Sequence, residues 1–97
     1  MEPTIAWPFT RDDFRHELLK QSGPACLVAR SNLRLDPPSV HWEVVLLQFE
    51  PTKTIKNQVY EAHWRYPGNE DWGTHGWTYT KLEEAERRFA ELAGRKT

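Results

Sequence analysis

Tryptophan is the residue that most constrains this chain. Five occur in 97 residues, while Leu, Ile, Val and Phe together number only 20. So few aliphatic side chains leave the sequence close to the composition at which chains stay disordered, but a near-neutral balance of charge and 12 aromatic residues bring it back toward folding. A large ring buries on the order of 150–250 Å², so Trp42, Trp64 and their neighbours are expected to supply core area that the aliphatic residues do not. The length allows one core, and a single small domain over 1–97 follows, with 1–8 as an extended N-terminal arm.

Several classes are disfavoured by what is scarce. A single cysteine, Cys26, excludes an internal disulfide framework and a zinc ribbon or finger, and it fits a reducing compartment. The opening Met1-Glu2-Pro3-Thr4 has no basic segment followed by an apolar one, and no stretch approaches the roughly 20 apolar residues of a membrane span. The expectation is a cytoplasmic protein without membrane attachment. Thirteen basic and 14 acidic residues are spread so evenly that no basic block marks a nucleic-acid footprint.

The regular elements read as follows. Phe9-Thr10-Arg11-Asp12-Asp13-Phe14 has Thr10 and Asp13 at the spacing of a capping box, with Phe9 and Phe14 at the staple positions, so a helix is expected over 11–21. His16 would lie on its surface. Ala25 to Arg30 is an apolar run suited to a buried strand, and 31–39, with Pro37-Pro38, reads as a loop. His41 to Phe49 is the clearest strand, expected to lie centrally in a sheet and to pair with Gln58 to Tyr66. There Tyr60, Ala62, Trp64 and Tyr66 alternate with Glu61, His63 and Arg65, which puts rings on one face and ionisable groups on the other.

Trp77-Thr78-Tyr79 adds a short strand. A C-terminal amphipathic helix follows, with Thr80 and Glu83 as a capping box, Leu82, Ala85, Phe89 and Leu92 on one side, and Gly94 at its end. Glu83–Arg87, Glu84–Arg88 and Glu91–Arg95 have the spacing of intrahelical ion pairs. The fold class is therefore α+β: an N-terminal helix, a three- to four-stranded, mostly antiparallel sheet, and a C-terminal amphipathic helix packed on one sheet face. The Trp64 face would be covered by helix and the Glu61, His63 and Arg65 face would stay open.

No nucleophile-elbow, P-loop or dinucleotide-binding motif is present, so a non-enzymatic role without a cofactor is expected. The most specific stretch is the glycine-containing aromatic loop 66–77, in which Trp72 and Trp77 flank His75. Rings in such a loop serve as anchors for a protein or as stacking platforms for a nucleic acid. The candidate binding residues are His63, Arg65, Tyr66, Trp72, His75 and Trp77. Two alternatives remain: a small phage- or plasmid-encoded inhibitor of a host protein, and a metal or small-molecule site formed by convergence of His41, Glu43, His63 and His75. An open edge strand in so small a sheet also admits a homodimer.

The order His41-Trp42-Glu43-Val44, His63-Trp64-Arg65, Trp72-Gly73-Thr74-His75-Gly76, then Glu84-Ala85 with Phe89, Leu92 and Lys96, resembles the landmarks of WGR domains. These are small sheet domains, named for a Trp-Gly-Arg motif, of nucleic-acid-associated proteins including poly-ADP-ribose polymerases. The resemblance spans residues 40–96 and implies an antiparallel sheet with a helix against it and contact with nucleic acid. Trp72 and Gly73 match the first two motif positions, but Thr74 stands in place of the arginine, so the family's DNA-contacting arginine has no counterpart here. The N-terminal segment lies outside the pattern.

Overall fold

The structure, a computed structural model, describes residues 2–68 and 72–94. Asn69, Glu70 and Asp71 of the aromatic loop, and Arg95 and Lys96 of the expected helix end, lie outside the described residues. Among the described residues nine strands and one helix follow in chain order: β1 (Phe9–Arg11), β2 (Phe14–Ser22), β3 (Ala25–Asn32), β4 (Ser39–Leu46), β5 (Gln48–Glu50), β6 (Lys53–Ile55), β7 (Gln58–Tyr60), β8 (His63–Arg65), β9 (Gly76–Tyr79) and α1 (Leu82–Ala93). A five-stranded antiparallel sheet has the order β1-β2-β3-β4-β9, and β5-β8 and β6-β7 form two small ribbons.

The expected N-terminal helix is absent; its residues form β1, a turn and β2. Asp12 and Asp13 both take positive φ, 52° and 66°, and join strands paired at Arg11 and Phe14. That is the two-residue type I′ connection of a hairpin, which Asp tolerates. Phe14 and Leu18, four residues apart, share a side in a helix and in a strand alike. His16 between them separates the two cases, and it is buried, only 6% exposed, rather than on the surface. The register slips between Leu18 and Lys20, where Leu19 bulges out and is exposed.

The sheet thus has five strands where three or four were expected. β3 lies at its centre, with β4 between β3 and β9 rather than beside residues 58–66. That segment breaks at Glu61-Ala62 into β7, in a protruding hairpin turned by Lys56-Asn57, and β8, which pairs with β5. Consequently Trp64 is not under a helix, and the Glu61, His63 and Arg65 side is not a face of the main sheet.

Both faces of that sheet are covered. Register places Ala25, Leu27, Trp42, Val44, Leu46, Trp77 and Tyr79 on one side, where Leu82, Ala85, Phe89 and Leu92 of α1 pack. The helix forms where expected, but its N-cap is Lys81, with no side-chain capping bond, and Gly94 closes its end. Arg88 turns away from Glu84, donating to the Tyr79 hydroxyl at 3.0 Å, lying over the Trp77 ring and pairing with Glu91 at 3.4 Å. On the opposite side Cys26, Val28 and Val45 meet Leu47 and Tyr66, with Ile5 and Trp7 of the N-terminal arm, Phe9, Leu18 and Trp64 around them. Four tryptophans thus serve the core, as composition required. Among the described residues no helix is long and apolar enough to cross a membrane.

Leu27 is fully buried between the sheet and α1, whereas Leu19 is 47% exposed. Leu27→Ala is expected to cost about 2–5 kcal/mol in urea denaturation, and Leu19→Ala within about 0.5 kcal/mol.

Candidate functional site

The side of the sheet opposite α1 changes from apolar to polar along its length. Pairing of Phe9 with His16 and His16 with Arg30 sets one row across it, and Leu18, Val28, Glu43 and Thr78 set the next. Arg11, opposite Phe14, continues the same face. Four strands thereby present polar side chains to one another: Arg11, His16, Arg30 and Glu43. Pro67 and Tyr66, arriving from the end of β8, are buried over them.

Glu43 is the centre of this arrangement and is 2% exposed. A carboxylate taken out of water costs several kcal/mol unless both oxygens are satisfied. The Tyr66 hydroxyl donates to Oε1 in a short hydrogen bond. Arg30 approaches Oε2 at 3.1 Å, and the Thr78 hydroxyl donates to the same oxygen at 3.5 Å. Burial, reinforced by the Glu43 charge, pushes the Tyr66 phenol far above its ordinary range, so it stays a donor.

His16 donates from Nδ1 to the Phe14 carbonyl at 3.1 Å, stacks on Phe9 with ring centroids 4.4 Å apart, and places Nε2 3.7 Å from Glu43 Oε1. Burial lowers its pKa from the usual 6.5, an effect that the Glu43 charge opposes without reversing. The imidazole is therefore neutral in the folded protein near pH 7.

These residues line a cavity of about 200 Å³ that reaches the surface beside Trp72. The Arg30 guanidinium lies 4.6 Å from the Phe14 ring centroid, and its buried Nε–H has no hydrogen-bond acceptor. Arg11 is exposed, 5.9 Å from the Phe9 and Tyr66 ring centroids, and forms no ion pair with any described residue. Asp12 sits at the rim.

Of the six residues selected from sequence, two belong here. Tyr66 forms the inner wall, and Trp72, 37% exposed, stands at the mouth. The Trp72 ring is fixed by donation from Nε1 to the Thr78 hydroxyl at 3.0 Å and by lying flat against Gly76, where a Cβ would stand 2.6 Å from Cζ3. Trp77 is in the core under α1. Arg65 donates from Nε to Glu50 at 2.5 Å, which holds that carboxyl below its usual range. His63 is exposed on β8, its Nδ1 3.0 Å from the Glu61 carbonyl, and His75 is half-buried, its carbonyl accepting from the Leu46 amide.

His41, His63 and His75 occupy different elements, and among the described residues no group of three or more His, Cys, Asp or Glu is arranged to hold a metal ion. Cys26 is wholly buried, and burial pushes its thiol up to about 12, far from a nucleophile's range. Sequence reasoning missed Arg11, His16 and Arg30, and placed Glu43 only in the histidine cluster. The available signal was a glutamate inside an apolar, β-branched run. Comparison with family models, curated proteins and solved structures gave no match.

Two outcomes are expected. Gly76→Ala moves the Trp72 ring rather than unfolding the sheet, so Trp fluorescence shifts to the red while the circular dichroism is retained. Because the folded pKa of His16 lies below the unfolded value, the unfolded chain takes up the proton first on acidification. The stability due to neutral His16 is complete above about pH 6.5 and is lost as pH falls through the folded pKa. Melting temperature is therefore lower at pH 5.5 than at pH 7.5, and His16→Gln removes part of that difference; an undiminished difference would exclude His16 as its source.

Proposed function

We propose that this chain is a small non-catalytic binding module that recognises a protein partner through Trp72 and the polar pocket beside it. One observation carries this reading: an exposed tryptophan ring, held in place by Gly76 and Thr78, borders a cavity whose interior polar groups are already ordered. A rigid ring next to a pre-formed pocket loses little conformational freedom on association, which is the character of an interface anchor.

The chemistry of the lining supports binding over catalysis. Glu43 is occupied by three donors, His16 is held by Phe14 and Phe9, and the Tyr66 phenol is kept protonated, so each group that would transfer a proton has a structural partner. The distribution of charge favours a protein over a nucleic acid. Arg15, Arg30, Arg34, Arg65 and Arg88 are each paired with a carboxylate, leaving no continuous basic stripe among the described residues for a phosphate backbone.

The test is affinity capture from a lysate of the cells that express the protein, with wild type, Trp72→Ala and Gly76→Ala in parallel, each with and without nuclease. A specific protein retained by wild type despite nuclease, and lost at least about tenfold with either variant, is the expected result. Nuclease-sensitive capture would replace this reading with the nucleic-acid contact that the WGR resemblance implies. Equal capture by all three would remove Trp72 as the anchor.

A further inference from the structure

We propose that two copies of this chain pair through the free edge of β7, joined antiparallel about Val59 into a four-stranded sheet β6-β7-β7-β6. This goes beyond the Trp72 reading, whose pocket no residue of the β6-β7 hairpin lines. Residues 51–61 are all exposed, yet three of them are large and apolar: Ile55, Val59 and Tyr60, at 48%, 62% and 42% exposure. A two-stranded ribbon on its own is marginally stable in water, whereas three or more strands with an apolar face hold together. The hairpin therefore carries apolar surface that its own two strands cannot cover.

The two edges of the ribbon differ. β6 follows Pro51 and carries Lys53, residues that keep an edge from pairing, whereas β7 reads Gln58-Val59-Tyr60, with no charge, proline or bulge. Backbone direction agrees with this asymmetry. Lys56 and Asn57, at φ 50° and 66°, make a two-residue turn closed by the pair Ile55–Gln58. Hydrogen-bonded and non-bonded pairs alternate along an antiparallel ladder, so Thr54–Val59 is a non-bonded pair and the Val59 N–H and C=O point away from β6. A two-fold axis at Val59 lets each copy donate that N–H to the other's C=O. Gln58 then faces Tyr60 across the axis, and the two Tyr60 rings become diagonal neighbours on the face that also carries Ile55.

Charge selects a second copy as the occupant and sets its direction. β7 is flanked by Lys56 at the turn and Glu61 at the other end, and neither forms an ion pair with a described residue. Antiparallel pairing of the edge with itself brings the Lys56 end of each copy beside the Glu61 end of the other, twice over, and sets no like charges opposite each other. An edge this short belongs with small, transient interfaces, and the dimer is accordingly concentration-dependent.

The test is analytical ultracentrifugation of the full chain from about 10 μM to 1 mM, the range of weak complexes, with hydrogen exchange of the Val59 amide measured at both ends. The expected results are a monomer–dimer equilibrium, slower Val59 exchange at the higher concentration, and association at least about tenfold weaker in Val59→Glu, which sets two carboxylates opposite each other at the axis. Val59 is exposed, so the variant monomer keeps its circular dichroism. Lys56→Glu and Glu61→Lys each weaken the dimer about fivefold, and the double variant recovers to within about twofold of wild type. A chain that stays monomeric at about 1 mM leaves the edge to a strand of another protein and overturns the proposal. A dimer that Val59→Glu leaves unchanged, or a double variant no tighter than the single ones, overturns it as well. Trp72-dependent capture is read separately, so either reading can fail without the other.

Discussion

The Glu43 carboxylate is the group on which the arrangement of this fold depends. It projects from β4 into the interior, and each of its partners comes from a different element: Arg30 from β3, Thr78 from β9, Tyr66 from beyond β8, with the His16 ring of β2 beside it. Loss of any one donor would leave part of a buried charge unsatisfied. The pairings β2-β3-β4-β9 and the path of the chain over the sheet at Tyr66 are thus coupled through one side chain. A slip of one residue in any of those strands would turn its contribution to the opposite face.

The two faces of the sheet divide the work. Under α1 the contacts are apolar and ring-rich, with Arg88 lying over Trp77 and donating to Tyr79, and with Lys20 of β2 4.0 Å from Glu86 of the helix. The other face joins an apolar cluster around Val28 and Val45 to the charged pocket at its end. A polar network can be ordered there because the apolar half beside it holds the backbone in place. Tryptophan follows the same division: four rings pack in the core and Trp72 is left at the surface against Gly76.

Legibility in the sequence followed the uniqueness of each local signal. The run Ala25–Arg30, the β-branched stretch through Val44 and Val45, the Trp77 strand and the Leu82–Ala93 helix each carry a pattern with one solution, and all appear. Residues 9–22 carry two. Thr10 and Asp13 suit a helix start, while Asp12-Asp13 suits a turn with positive φ, and the four-residue spacing of Phe14 and Leu18 fits both periods. Hairpin pairing with β3 decides the matter, since it gives partners to eight residues that a short isolated helix would leave marginal. Within the site, Tyr66 and Trp72 stood out as rings in a glycine-containing loop. Arg11, His16 and Arg30 did not, because an isolated charged residue in sequence reads as surface until its neighbours across the sheet are known.

By itself the sequence determined that the core needs tryptophan, that the sheet is antiparallel and that an amphipathic helix closes it, because composition and period act over a few residues. Tertiary structure decided that His16 is inside, that Trp64 lies away from the helix, and that Arg11, Arg30, Glu43 and Tyr66 share a pocket. Those outcomes depend on register between strands distant in the chain, and the energy that fixes register is the simultaneous burial of one face and pairing of one carboxylate, which no local window contains.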